Sequence, residues 1–131
     1  HNQVRVERLI DEKQLEEQMS EMSEADKAFI KNVMNLIEKH IADSEYGQEQ
    51  LAHDLLLSRS TLYRKIKAVS GMSPLDFIRN VKMKKACTML EQHRLSVSEI
   101  AYSLGFTNPK YFTKCFKEEM GQTPSEYQKK S

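Results

Sequence analysis

An all-α fold is what this 131-residue sequence predicts. Apolar residues recur at three- and four-residue steps along nearly the whole chain, and no segment alternates apolar and polar residues for long enough to make a strand. All four glycines, Gly47, Gly71, Gly105 and Gly121, fall where a helical stretch starts or stops, so none is left for a phosphate loop. The length allows one compact domain with an appendage and is too short for two sizeable cores.

The first helix is expected behind Ser23 as N-cap, with Phe29, Val33, Leu36, Ile37 and Ile41 on its apolar face. A short second helix follows Gly47 and runs through Leu51, Ala52 and Leu55, with Tyr46 and Leu51 spaced as a hydrophobic staple. Ser58 caps a third helix carrying Leu62, Ile66 and Val69, which Gly71 ends by taking a left-handed conformation. Ser73-Pro74 opens the longest helix, where Phe77, Ile78, Val81, Ala86, Met89 and Leu90 mark one face to about Glu91. Ser96 to Glu99 form a capping box for a fifth helix, Asn108-Pro109 opens a sixth, and Thr123 to Glu126 cap a last short one.

Net charge is +1 overall, but it is unevenly spread. Residues 1–47 hold 6 Lys and Arg against 11 Asp and Glu, net −5, while residues 48–131 hold 14 against 8, net +6. A basic body beside an acidic segment is a mild electrostatic argument for a polyanionic partner, and on charge alone a solvated Lys-rich surface explains it equally well. Cys87 and Cys115 lie in apolar stripes without a pairing motif, as expected of buried thiols in a reducing cytoplasm. His40, His53 and His93 have no ligand spacing, and no Ser, His and carboxylate arrangement is present. Neither an enzyme activity nor a cofactor nor a metal is expected.

Residues 51–77 repeat as residues 100–127. Leu51-Ala52 matches Ile100-Ala101 and Leu55 matches Leu104 at an offset of 49. After the turn the offset becomes 50, pairing Leu62 with Phe112, Ile66 with Phe116, Gly71 with Gly121 and Phe77 with Tyr127. Each copy reads as a short helix, a tight turn and a longer helix that is apolar on one side only. That is the pattern of a helix-turn-helix, whose second helix enters the DNA major groove. The free face of the first second-helix carries Arg59, Ser60, Tyr63, Arg64 and Lys67; that of the second carries Asn108, Lys110, Tyr111, Thr113, Lys114 and Lys117. Arg forks onto guanine and Lys neutralises phosphate, so these are the candidate DNA-binding residues. The helix from Pro74 to Glu91 is roughly 27 Å long at 1.5 Å per residue. It suits a strut that presents two reading helices about one turn of DNA, roughly 34 Å, apart. A helical adaptor that offers the basic faces to an acidic protein is the competing reading, and it predicts binding without sequence preference.

The chain resembles the AraC/XylS family of transcription regulators over about Ala25 to Lys130. The resemblance rests on Gln50-Leu51-Ala52, the run Ser58 to Lys67, Gly71-Met72-Ser73-Pro74, Ile100-Ala101 to Gly105-Phe106, Lys110-Tyr111-Phe112, Phe116-Lys117 and Gly121 to Tyr127. It implies a seven-helix domain of two helix-turn-helix units, at about 47–71 and 96–121, joined by a linker helix at about 74–91. It also implies binding to an asymmetric promoter site, usually to activate transcription with RNA polymerase. Base-reading positions would fall on Ser60, Tyr63 and Arg64, backbone positions near Arg59 and Lys67, and second-unit contacts near Asn108, Lys110, Thr113 and Lys114. Two departures stand out: Lys114 replaces the Arg that many members carry, and Gly47 replaces a side-chain cap.

Residues 58–86 further resemble the output domains that end hybrid two-component regulators. With a start at His1 rather than Met, residues 1–22 are therefore expected to be a linker from an upstream receiver or sensor domain, and residues 23–131 the DNA-binding domain. The full-length protein would act in the cytoplasm, with an inner-membrane anchor upstream compatible with that arrangement. Leu15, Met19 and Met22 keep helical spacing among acidic residues, so residues 4–22 read either as a helical linker that pairs with a second copy or lies against an upstream domain, or equally as a solvated, partly disordered linker.

Overall fold

The computed structural model describes residues 22–131, which form seven helices and, among those residues, no strand. They are α1 (Glu24–Lys39), α2 (Gln48–Asp54), α3 (Arg59–Ser70), α4 (Pro74–Gln92), α5 (Val97–Ser103), α6 (Pro109–Met120) and α7 (Pro124–Lys129). Leu15 and Met19 lie outside the described residues.

The expected caps are in place. Ser23, Ser58, Ser73, Ser96 and Thr123 each accept a hydrogen bond from the backbone N–H three residues on, at 3.1–3.2 Å. Each removes one of the unpaired N–H groups at a helix start. Gly47 has no side chain to do this, but Gln50 reaches back and its Oε1 accepts the Gly47 N–H at 3.0 Å. Half of a capping box therefore survives the glycine.

Apolar residues gather in two clusters rather than one. The first unites Ile30, Val33 and Ile37 of α1, Tyr46, Leu51 and Ala52, Leu62 and Ile66 of α3, and Phe77 and Ile78 of α4. The second unites Met83, Ala86, Cys87 and Leu90 of α4 with Ile100, Ala101, Leu104, Phe112, Cys115, Phe116 and Met120. Helix α4 thus serves both clusters in turn and packs against α3 on one side and against α5 and α7 on the other. The strut inferred from the sequence is also the shared wall of the two units.

Two expectations for α1 need correction. Its core face is centred on Ile30 and leaves Phe29 and Leu36 only partly buried. The Phe29 ring instead carries the Lys65 ammonium, 4.8 Å from its centroid. The helix also stops at Lys39, so Ile41 lies beyond it in a turn and packs against the second cluster, not the first.

Candidate nucleic-acid interface

Each unit is a short helix, a turn and a longer helix, and the duplication holds in detail. Leu62 and Phe112 are fully buried, as are Ile66 and Phe116, while Gly71 and Gly121 end α3 and α6 at φ +77° and +75°. The turns match as well: the Leu57 N–H bonds the Ala52 carbonyl at 2.9 Å, and the Phe106 N–H bonds the Ala101 carbonyl at 3.0 Å. Because the core residues of α3 and α6 occupy one face only, the opposite faces are left to solvent.

On α3, Arg59, Ser60, Tyr63, Arg64 and Lys67 are all exposed. Arg59 shares its charge with Glu49 of α2 at 3.3 Å, and Arg64 leans toward the Thr61 hydroxyl at 3.5 Å. Both guanidiniums are in water and can exchange these partners for phosphate or base atoms at little cost. On α6, Lys110, Tyr111, Lys114 and Lys117 are exposed, whereas Thr113 is half-buried. Asn108 is exposed too, but its Oδ1 accepts the Lys110 N–H at 2.8 Å, so the residue acts as the N-cap of α6. Its amide N–H₂ and the second lone pair of that oxygen remain for a ligand.

Two cations of α4 that the sequence pattern did not single out reach across to the second unit beside the reading face. Arg79 of α4 donates to the Tyr111 hydroxyl at 3.5 Å, joining the linker helix to the free face of α6. The Tyr111 phenol is held above its ordinary value, chiefly by its hydrogen bond to the Cys115 side chain, with Arg79 pulling the other way. Lys82, one turn further along α4, lies 5.4 Å from the centre of the Phe106 ring. Burial lowers its pKa, against the opposing pull of Asp43. Both residues look like ordinary solvated charges in a helical strut, and only the packing of the two units reveals what they touch. Among the described residues no group of three or more His, Cys, Asp or Glu side chains is arranged to hold a metal, and no helix is long and apolar enough to cross a membrane.

Residues 51–130 match the family described as Helix-turn-helix domain, which spans both units. This chain belongs to the AraC-type helix-turn-helix family of DNA-binding transcription regulators. The AraC-type fold is shared with the C-terminal domain of AraT, a response regulator from Geobacillus stearothermophilus, at 30% identity and a TM-score of 0.72, covering 78% of this chain and 84% of that one. It is shared also with the DNA-binding domain of AdpA, a global transcriptional factor, in complex with a target DNA, at 26% identity and a TM-score of 0.69, covering 75% and 87%. In sequence the chain is 36% identical over 107 residues to Histidine kinase P4 of Formosa agariphila, covering 82% of this chain and 8% of the kinase. The chain spans well under half the length of the curated relatives it matches.

Proposed function

We propose that this AraC-type domain reads a bipartite promoter site and activates transcription as the output module of a two-component signalling protein. The observation that carries the reading is the pair of exposed basic faces on α3 and α6, borne by two copies of one helix-turn-helix and fixed to a single helix. In this reading Ser60, Tyr63 and Arg64 contact bases, while Arg59 and Lys67 hold the backbone beside them. Lys110, Thr113 and Lys114 approach bases in the second groove, with Asn108, Tyr111 and Lys117 at its edges. Lys114 is a point charge and not a planar fork, so the first unit carries most of the specificity. The domain works by binding alone, with no catalytic step.

The longer protein is proposed to act in the cytoplasm, also where an upstream part is anchored in the inner membrane. Residues 1–22 would lead from a receiver or sensor domain, and residues 4–22 would pair two copies when that domain is phosphorylated. Contact with RNA polymerase would follow from promoter binding. The likeness to a response-regulator domain and to part of a histidine kinase supports this setting.

The deciding experiment incubates the domain with a randomised duplex library near about 150 mM salt, where charge-only binding is already weakened. Enrichment of two short elements about one helical turn apart is the expected result. A bound pool without any enriched sequence would overturn the reading in favour of a charge-only adaptor.

A further inference from the structure

We infer that the seam between the two units, closed by Gly105 and Lys82, is a rigid joint that sets which spacing of half-sites the domain accepts. The inference rests on the bipartite reading above and names the residues that give it a fixed ruler.

The argument begins with the repeat. Gly105, in the turn before α6, corresponds to Leu56 in the turn before α3. Both take left-handed backbone, at φ +85° and +59°. Leu56 shows that this turn tolerates a side chain in that conformation, with 91% of its surface exposed. Position 105 is different because of what lies against it. A Cβ there would stand 2.7 Å from the Ile41 carbonyl oxygen and 3.4 Å from that of Asp43, both in the α1–α2 connection of the first unit. Backbone cannot yield to such contact as the end of a flexible side chain can. The glycine therefore lets the main chains of the two units meet directly.

Lys82 completes the seam from α4. Its Nζ would be 3.3 Å from the same Cβ, and it sits over Phe106 while attracted by Asp43, so one ammonium engages both units at once. Ile41 adds an apolar tie, since it leaves its own unit to pack on the second core. Arg79 carries the linkage to Tyr111 on α6 itself. Helix α4 fixes the distance between the units, and the seam fixes rotation about that helix. Rotation is what would move the α6 reading face out of phase with a groove. Lys82 and Gly105 are positioning residues in this scheme and need no contact with DNA.

The test uses Lys82→Met, which keeps the stem and removes the charge, with Lys82→Arg as the conservative rescue. Cysteines at the exposed and repeat-equivalent positions Ala68 and Glu118, on α3 and α6, carry nitroxide labels for a distance measurement without DNA. The same proteins are titrated with duplexes whose two selected elements are moved apart or together by one and two base pairs. For the unaltered domain a one-base-pair shift should weaken binding about tenfold, and for Lys82→Met only about two- to threefold, with single-element affinity unchanged. Lys82→Met should also broaden the label distance, and Lys82→Arg should restore both. A folded Lys82→Met with an unchanged distance distribution, or a broadened one with an unchanged spacing profile, overturns the joint as the determinant of spacing. Loss of single-element affinity does the same, because it makes Lys82 a DNA contact. Gly105→Ala, compared with Leu56→Ala for folding, is expected to give the same broadening if it folds. If the unaltered domain selects no paired elements yet Lys82→Met broadens the distance, the mechanical joint stands and the bipartite reading fails.

Discussion

Leu56 and Gly105 stand at the same place in two copies of one turn, both left-handed, yet one faces water and the other faces the backbone of the neighbouring unit. A leucine in left-handed backbone costs roughly 1–2 kcal/mol, and with 91% of its surface exposed the Leu56 side chain buries little to offset that. Leu56→Gly should therefore stabilise the domain by about 1 kcal/mol, somewhat less than the full strain because glycine loses more freedom on folding. Urea unfolding checks it, and a lower midpoint for the glycine variant would show that Leu56 has native partners.

The two basic faces predict different kinds of loss. Arg64→Ala should cost about 1–3 kcal/mol on a selected site and relax one base position, whereas Lys117→Ala should weaken all duplexes alike and lower the salt slope by about 1. Titrations on matched and scrambled duplexes at several salt concentrations separate them. A uniform loss for Arg64→Ala would remove it from the base-reading residues.

Phe116 is fully buried in the second cluster and meets Phe112 and Tyr127 at ring distances of 5.9 and 5.7 Å. Phe116→Ala should cost about 3–5 kcal/mol. Because the first cluster shares only α4 and the seam with it, amide exchange should rise across α5, α6 and α7 before it rises in α1 and α3. Equal acceleration everywhere would mean that the two clusters unfold as one.

Alkaline pH should weaken the fold through Tyr46 and Tyr127. Burial first, and then hydrogen bonds to Asp54 and Glu91, hold both phenols well above their ordinary value. Below pH about 10 the folded and unfolded chains both keep these protons, so the contribution is complete; above it the unfolded chain ionises first and stability falls as pH rises. Tyr46→Phe should make that alkaline decline shallower. Ultraviolet titration of the native protein should show these two of the five tyrosines ionising only as the fold is lost. A normal titration of all five would contradict this.

Much of this architecture is legible in the residues. Ser and Thr caps, Pro at first helical positions and glycines at helix ends act within a few residues of themselves, so their meaning survives without the fold. The repeat gives both helix-turn-helix units for the same reason, since each is a local pattern. The sequence is silent where a residue's partner is distant. Ile41 continues the helical spacing of Leu36 and Ile37, and only the packing shows it crossing to the other core. Phe29 and Ile30 are adjacent apolar residues, and periodicity alone does not say which one points inward. Arg79 and Lys82 differ in nothing from solvated helix charges until α6 and the α1–α2 connection are placed beside them. Asn108 illustrates the converse: it belongs to both a capping pattern and a reading face, and the fold gives its oxygen to the cap.

The partition of the core carries a consequence for how the molecule is made. Apart from Ile41, the first cluster draws only on residues up to Val81 and the second only on residues from Met83 onward. Each half can therefore collapse on contacts close along the chain, an arrangement that favours fast folding. During synthesis the leading half has all of its own core before the trailing half has left the ribosome. Ile41 and the surface that receives Gly105 would then wait, already formed, as a template on which the later half docks.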